Sequence, residues 1–179
     1  MLRILITGPP GVGKTTLIRR VIDYAKSLSI EVFGFITYEV REGGRRIGFK
    51  IADVHGNRED WLAHTSLFRG GPMVGRYYVN VRAMDEVGVR AIVAAKPSSL
   101  VVVDEIGKME LMDRNFLRVL EEVVPSVHFV GTIFMAYRYN TEVRGFVERF
   151  GFRVLELNRA NIDSVYSEVI KELGRSLGR

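Results

Sequence analysis

The chain has 179 residues, a formal net charge of +5 from 26 Lys and Arg against 21 Asp and Glu, 47% hydrophobic residues and no cysteine. That length supports one sizeable core, and the lack of cysteine excludes disulfides, thiolate metal sites, iron–sulfur clusters and thiol nucleophiles. The first apolar stretch stops at Gly8, too short for a signal peptide, and no run nears the roughly 18 apolar residues of a membrane span, so a cytoplasmic protein is expected.

In chain order, Leu2 to Thr7 reads as a buried strand, and Leu17, Val21, Ala25 and Leu28 mark one face of a helix. Extended runs Val32 to Val40, Arg46 to Asp53 and Glu59 to Leu67, broken at Gly43-Gly44 and Gly56-Asn57, predict an antiparallel meander over about 32–67. A glycine-rich connection, Arg69 to Pro72, leads to a short strand over Tyr77 to Val81 and a helix from Met84 to Ala95. Leu100 to Val103, ending at Asp104-Glu105, reads as a central parallel strand. A helix over Asn115 to Val124, strands over Val127 to Ile133 and Arg153 to Leu157, and a terminal helix over Asn161 to Leu177 complete the pattern. Strands alternating with helices predict a mainly parallel α/β sheet with helices on both faces and the meander as an extension. No repeat or linker divides the chain, so one domain over 1–179 is expected.

Gly8-Pro9-Pro10-Gly11-Val12-Gly13-Lys14-Thr15 matches GxxxxGK[ST] at every fixed position, between a predicted strand and a predicted helix as that motif requires. Gly8, Gly11 and Gly13 let backbone NH groups approach phosphate oxygens at the positive end of the helix. Lys14 is expected to reach the β- and γ-phosphates, Thr15 to offer its hydroxyl to Mg²⁺, and Thr16 to sit near the α-phosphate. Asp104 and Glu105 close the most apolar strand, at the end where open parallel sheets bind ligands. Asp104 is the candidate for the Mg²⁺ shell and Glu105 for orienting the attacking water. The alternative is that both cap the turn into Ile106-Gly107-Lys108, of which Gly107 is a candidate nucleotide-binding residue. No Asn-Lys-x-Asp segment reads guanine, and no Ser-Gly-Gly-Gln signature marks a transporter ATPase.

Four segments together resemble the small nucleoside-triphosphatases sometimes called cancer-related NTPases: GPPGVGKTTL at 8–17, GFITYEVREGGRRIGFKI at 34–51, VGRYYVNV at 74–81 and LVVVDEIGKMEL at 100–111. The resemblance implies a P-loop fold similar to RecA-like and adenylate-kinase-like proteins, and slow Mg²⁺-dependent hydrolysis of several nucleoside triphosphates. The chain departs from the family where relatives commonly carry a proline, a basic residue and a His-Pro pair, having instead Phe134-Met135-Ala136-Tyr137-Arg138-Tyr139-Asn140.

Other residues allow two readings each. Arg41, Arg45 and Arg46 form either a charged hairpin tip that blunts a sheet edge or a lid over nucleotide. Arg138 is either solvated or a transition-state cation, and Lys108 either faces the γ-phosphate or pairs with Glu110 or another carboxylate. His55, His64 and His128 have no metal-ligand spacing. Trp61, Tyr77, Tyr78, Tyr137 and Tyr139 are expected to pack in the core or its rim, with base stacking as the alternative.

The leading expectation is a Mg²⁺-dependent phosphohydrolase of nucleoside triphosphates, with Lys14 and Glu105 catalytic and Thr15 and Asp104 at the metal. Its alternatives are a nucleotide, nucleoside or small-molecule kinase, and an NTP-driven interaction protein linked to nucleic acid. Scattered basic residues argue against a dedicated nucleic-acid surface, and no segment sets an oligomeric state.

Overall fold

A computed structural model describes residues 1–178; Arg179, the last residue of the expected single domain, lies outside the described residues. One nine-stranded sheet, in the order β5-β6-β4-β3-β2-β7-β8-β1-β9, runs through the molecule. Its parallel part contains β1 (Arg3–Thr7), β2 (Val32–Glu42), β7 (Leu100–Ile106), β8 (His128–Ile133) and β9 (Arg153–Glu156). The antiparallel extension adds β3 (Arg45–Asp53), β4 (Glu59–His64), β5 (Met73–Val74) and β6 (Tyr77–Val79). β2 joins the two parts: Val32 to Ile36 pair with β7, and Phe35 to Glu42 pair with β3.

Alternating side chains divide the core between the two faces of the sheet. On one face Ile4, Ile6, Val32, Ile36, Leu100 and Val102 pack against Leu17, Ile18 and Val21 of α1 (Lys14–Ser27) and Val165, Val169 and Leu173 of α6 (Ile162–Ser176). On the other face Leu5, Phe35, Val101, Val103 and Phe129 meet a second set of helices: α2 (Val81–Ala83), α3 (Arg90–Val93), α4 (Phe116–Val123) and α5 (Thr141–Arg149). Each fully buried Leu, Ile or Val contributes about 2 kcal/mol, which is what holds α1 down and fixes the loop before it. Among the described residues no helix is long and apolar enough to cross a membrane.

Several expected boundaries move, each for a local reason. The strand expected to reach Leu67 stops at His64, whose ring Nδ1 accepts hydrogen bonds from the backbone NH of Ser66 and of Leu67 and turns the chain. The strand expected over Tyr77 to Val81 ends at Val79, because the Asn80 side chain accepts from the Ala83 NH and starts a helix three residues before Met84. That helix widens into a π turn over Met84–Val89 before α3. β7 continues past Val103 to Ile106, so Asp104 and Glu105 belong to the strand itself. α5 and the two-residue β5 are elements the periodicity did not suggest.

Candidate active site

The order β7-β8-β1 brings residues 8–15 and 104–105 to the same end of the sheet, with β8 between their strands. At the end of β1 the chain turns at Gly8, where a Cβ would lie 2.5 Å from the Leu157 carbonyl oxygen, so no larger residue fits. Pro9, Pro10 and Gly11 are exposed, while Val12 is buried among the α1-face residues and anchors the loop. Gly13 has φ of 112°, a conformation that favours glycine, and its carbonyl accepts from the Leu17 NH at 2.9 Å to begin α1. Lys14 folds back over the loop, its Nζ donating to the carbonyls of Gly8 at 2.7 Å and Pro9 at 3.0 Å. Thr16 is exposed on the first turn of α1.

The Thr15 hydroxyl donates to Asp104 Oδ2 at 2.6 Å, and the Thr132 hydroxyl of β8 donates to Asp104 Oδ1 at 2.6 Å. One carboxylate therefore ties α1, β7 and β8 together. Burial pushes the Asp104 carboxyl above its ordinary range, against the two hydroxyl hydrogen bonds and the charges of Lys14 and Arg19. Thr132 was not singled out from sequence; its signal is a hydroxyl in the otherwise apolar, fully buried run HFVGTI after the histidine.

Glu105 is half-buried, next to Asp104 across a cis peptide bond. Burial and then the Asp104 charge push its carboxyl up to about 7, with Lys14 acting in the opposite direction. A proton acceptor in that range is matched to acid–base work near neutral pH. Glu110 is 4% exposed and shares the neighbourhood: a Cβ on Gly107 would lie 2.7 Å from Glu110 Oε2 and 2.9 Å from Glu105 Oε1. Burial first, and then the charge of Glu105, push Glu110 well above the usual carboxylate range. Lys108 is exposed and forms no ion pair with Glu110.

The remaining residues make contacts of their own. Arg41 and Arg46 both bond Glu39, at 2.7 and 2.6 Å, and Arg41 also donates to the Gly44 carbonyl, which closes the hairpin tip on itself. His128 Nδ1 accepts from the Leu2 NH at the far end of β1 and β8. Trp61 packs edge-on to His64 with Lys50 over its ring, and Tyr77 packs edge-on to Phe49. Tyr78 is half-buried, Tyr137 is buried and Tyr139 is exposed. His55 lines a separate cavity of about 230 Å³ with Phe33, Asp53, Arg58 and Arg90, at the opposite end of the parallel strands from the loop.

A divalent cation fits the Thr15–Asp104 pair by the chemistry of its donors, a hydroxyl and a carboxylate, both the oxygen ligands a hard cation requires. Among the described residues no three His, Asp or Glu side chains cluster to form a metal cage. That suits a cation held by one or two protein oxygens together with phosphate.

The chain resembles known proteins along nearly its whole length. It is 41% identical over 177 residues to nucleoside-triphosphatase THEP1 of Pyrobaculum islandicum, covering 98% of this chain and 95% of that one. It is 39% identical to the protein of the same name from Methanothermobacter thermautotrophicus, over 97% of both chains. The solution structure of a human cancer-related nucleoside triphosphatase superposes with a TM-score of 0.83 at 30% identity, over 98% of this chain and 99% of that one. The crystal structure of THEP1 from Aquifex aeolicus gives 0.80 at 30% identity, over 94% and 96%. With its sheet order, its glycine loop and a match to the NTPase family over residues 3–170, the chain belongs to that family of P-loop proteins.

Proposed function

We propose that the chain is a Mg²⁺-dependent phosphohydrolase that converts ATP, GTP, CTP and UTP to the diphosphate and inorganic phosphate. The observation that carries this reading is the Thr15–Asp104 hydrogen bond of 2.6 Å beside a loop already closed by Lys14. Its relatives' names, nucleoside-triphosphatase, support it.

In this mechanism the backbone NH groups of Gly11, Gly13, Lys14 and Thr15 hold the β- and γ-phosphates at the N-terminus of α1, where the helix dipole favours negative charge. Pro9, Pro10 and Val12 shape the loop, and Thr16 lies by the α-phosphate. Lys14 exchanges the Gly8 and Pro9 carbonyls for phosphate oxygens and offsets the charge that develops on them. Thr15 and Asp104 would hold Mg²⁺, which neutralises charge on the β- and γ-oxygens. Glu105 orients a water molecule on the γ-phosphorus and takes its proton. As the water oxygen bonds to phosphorus, the bridging oxygen leaves with the nucleoside diphosphate, and Gly107 keeps Glu105 and Glu110 close beneath the site.

The test follows the terminal phosphate. With Mg²⁺ and ATP the reading expects it as inorganic phosphate, at the same rate whether or not nucleosides, nucleotides or other hydroxyl compounds are added. Its transfer to an added hydroxyl would make the protein a kinase instead.

A further inference from the structure

Tyr139 is the most exposed large apolar residue described, at 93%, in the turn over Met135–Tyr139 that follows β8. A mobile loop would explain such exposure, but this segment is held on both sides of the ring. Tyr137 is 6% exposed and packed in the core, and its NH donates to the Phe134 carbonyl. Asn140 donates to the Tyr137 carbonyl, and its side chain caps α5 by accepting from the Val143 NH at 3.0 Å. The Tyr139 ring and hydroxyl have no hydrogen-bond or ring partner among the described residues. The backbone beneath the ring is already held, so binding would need to order only the side chain.

The position of the segment says what it faces. It leaves the end of β8 at Ile133, and the chain then runs through α5 to β9. Between β8 and β9 lies β1, whose end opens into the glycine loop. The 157–161 loop stands on the other side. Leu157 donates to the Thr7 carbonyl at 2.7 Å, and Asn158 and Asn161 bond the loop to itself through side chains and backbone, leaving Arg159 and Ala160 exposed. Ile162, next after it, reaches within 3.5 Å of where a Gly13 Cβ would be. In the proposed mechanism the γ-phosphate end lies at Thr15 and Asp104, on the β7–β8 side. A triphosphate running away from them delivers its nucleoside toward β9, between the two loops.

We propose that Tyr139 stacks on the nucleobase, with the Asn158–Ala160 loop as the opposite wall, forming a subsite that recognises a base by its face. This deepens the proposed function and rests on its placement of the triphosphate. Every base has a π-face, so stacking tolerates all four, and an aromatic platform gives affinity without choosing a base.

The experiment measures dissociation constants by calorimetry for ADP, CDP and inorganic tripolyphosphate, with Mg²⁺, on the full chain and on Tyr139→Ala and Tyr139→Phe. Tyr139→Ala should weaken ADP about tenfold and CDP by a smaller factor, since the purine offers the larger ring, while tripolyphosphate binds as before. Tyr139→Phe keeps the ring and should bind all three as wild type does. Unchanged ADP affinity in Tyr139→Ala overturns the proposal, as does an equal loss for tripolyphosphate, which would mean a disturbed phosphate loop. Because binding is read apart from turnover, a wild-type protein that binds nucleotide without releasing phosphate would overturn the hydrolytic reading and leave the stacking result standing.

Discussion

Lys14 donates to two loop carbonyls and to nothing in the core, so its removal should leave the fold intact. Lys14→Ala is expected to lower turnover by about a hundredfold or more, the scale of one lost transition-state donor, with an unchanged melting temperature. The two carboxylates should separate by task. Asp104→Asn is expected to weaken Mg²⁺-nucleotide binding, and Glu105→Gln to keep binding but lose about 10² to 10⁴ in single-turnover rate. Hydrolysis by Glu105→Gln within a few-fold of wild type would place water orientation on another residue. Glu110 makes a prediction about stability. Its carboxyl is raised in the folded protein, so that contribution is complete below the unfolded value near 4.5 and is lost as pH rises toward the folded one. Glu110→Gln cannot titrate there and should gain in melting temperature over wild type between pH 4 and pH 8. A constant difference across that range would contradict the assignment. At this scale sequence reading was uneven: the glycine loop was legible because its chemistry dictates residue type at fixed spacing. Thr132 was not, because a lone threonine in a buried strand is informative only once Asp104 is known to lie beside it.

The junction between the parallel and antiparallel parts of the sheet depends on Gly34 in β2. Its φ is 105°, and a Cβ there would lie 1.9 Å from the Val102 carbonyl oxygen of β7, a backbone atom that cannot step aside. Gly34→Ala should therefore cost about 3 kcal/mol, the upper end for overpacking. That corresponds to a fall of roughly 6–12 °C in melting temperature for a chain of this size. A melting curve matching wild type would show that β2 and β7 do not approach so closely. Long periodic elements such as α1 and α6 were legible, since one apolar face repeats over four turns. α5 was not, having only Val143, Phe146 and Val147 as buried contacts among charged neighbours. Nor was the π turn over Met84–Val89, where Gly88 sits so close to Met84 and Ile51 that a Cβ would lie 2.7 Å from the Met84 methyl carbon. That spacing belongs to the contact between helix and sheet and has no counterpart in a local pattern.

For the whole molecule, parallel β7 and β8 could be expected from their apolar runs, but the placement of β8 between β7 and β1 could not. That placement lets one carboxylate receive hydroxyls from α1 and β8 at once, converting two motifs 89 residues apart into one site. In the proposed mechanism the phosphates would be met by backbone NH groups and Lys14, which carry no information about the base, and the proposed stacking platform would carry little more. On that proposal, breadth toward substrate would follow from the architecture. The most direct test is inorganic phosphate release by the purified protein from ATP, GTP, CTP and UTP, each with Mg²⁺ and with the metal chelated. The account predicts release from all four at rates within about tenfold, the span expected from modest differences in stacking, and its loss on chelation. Phosphate release that persists without a divalent cation, or confinement to a single nucleotide, would contradict it.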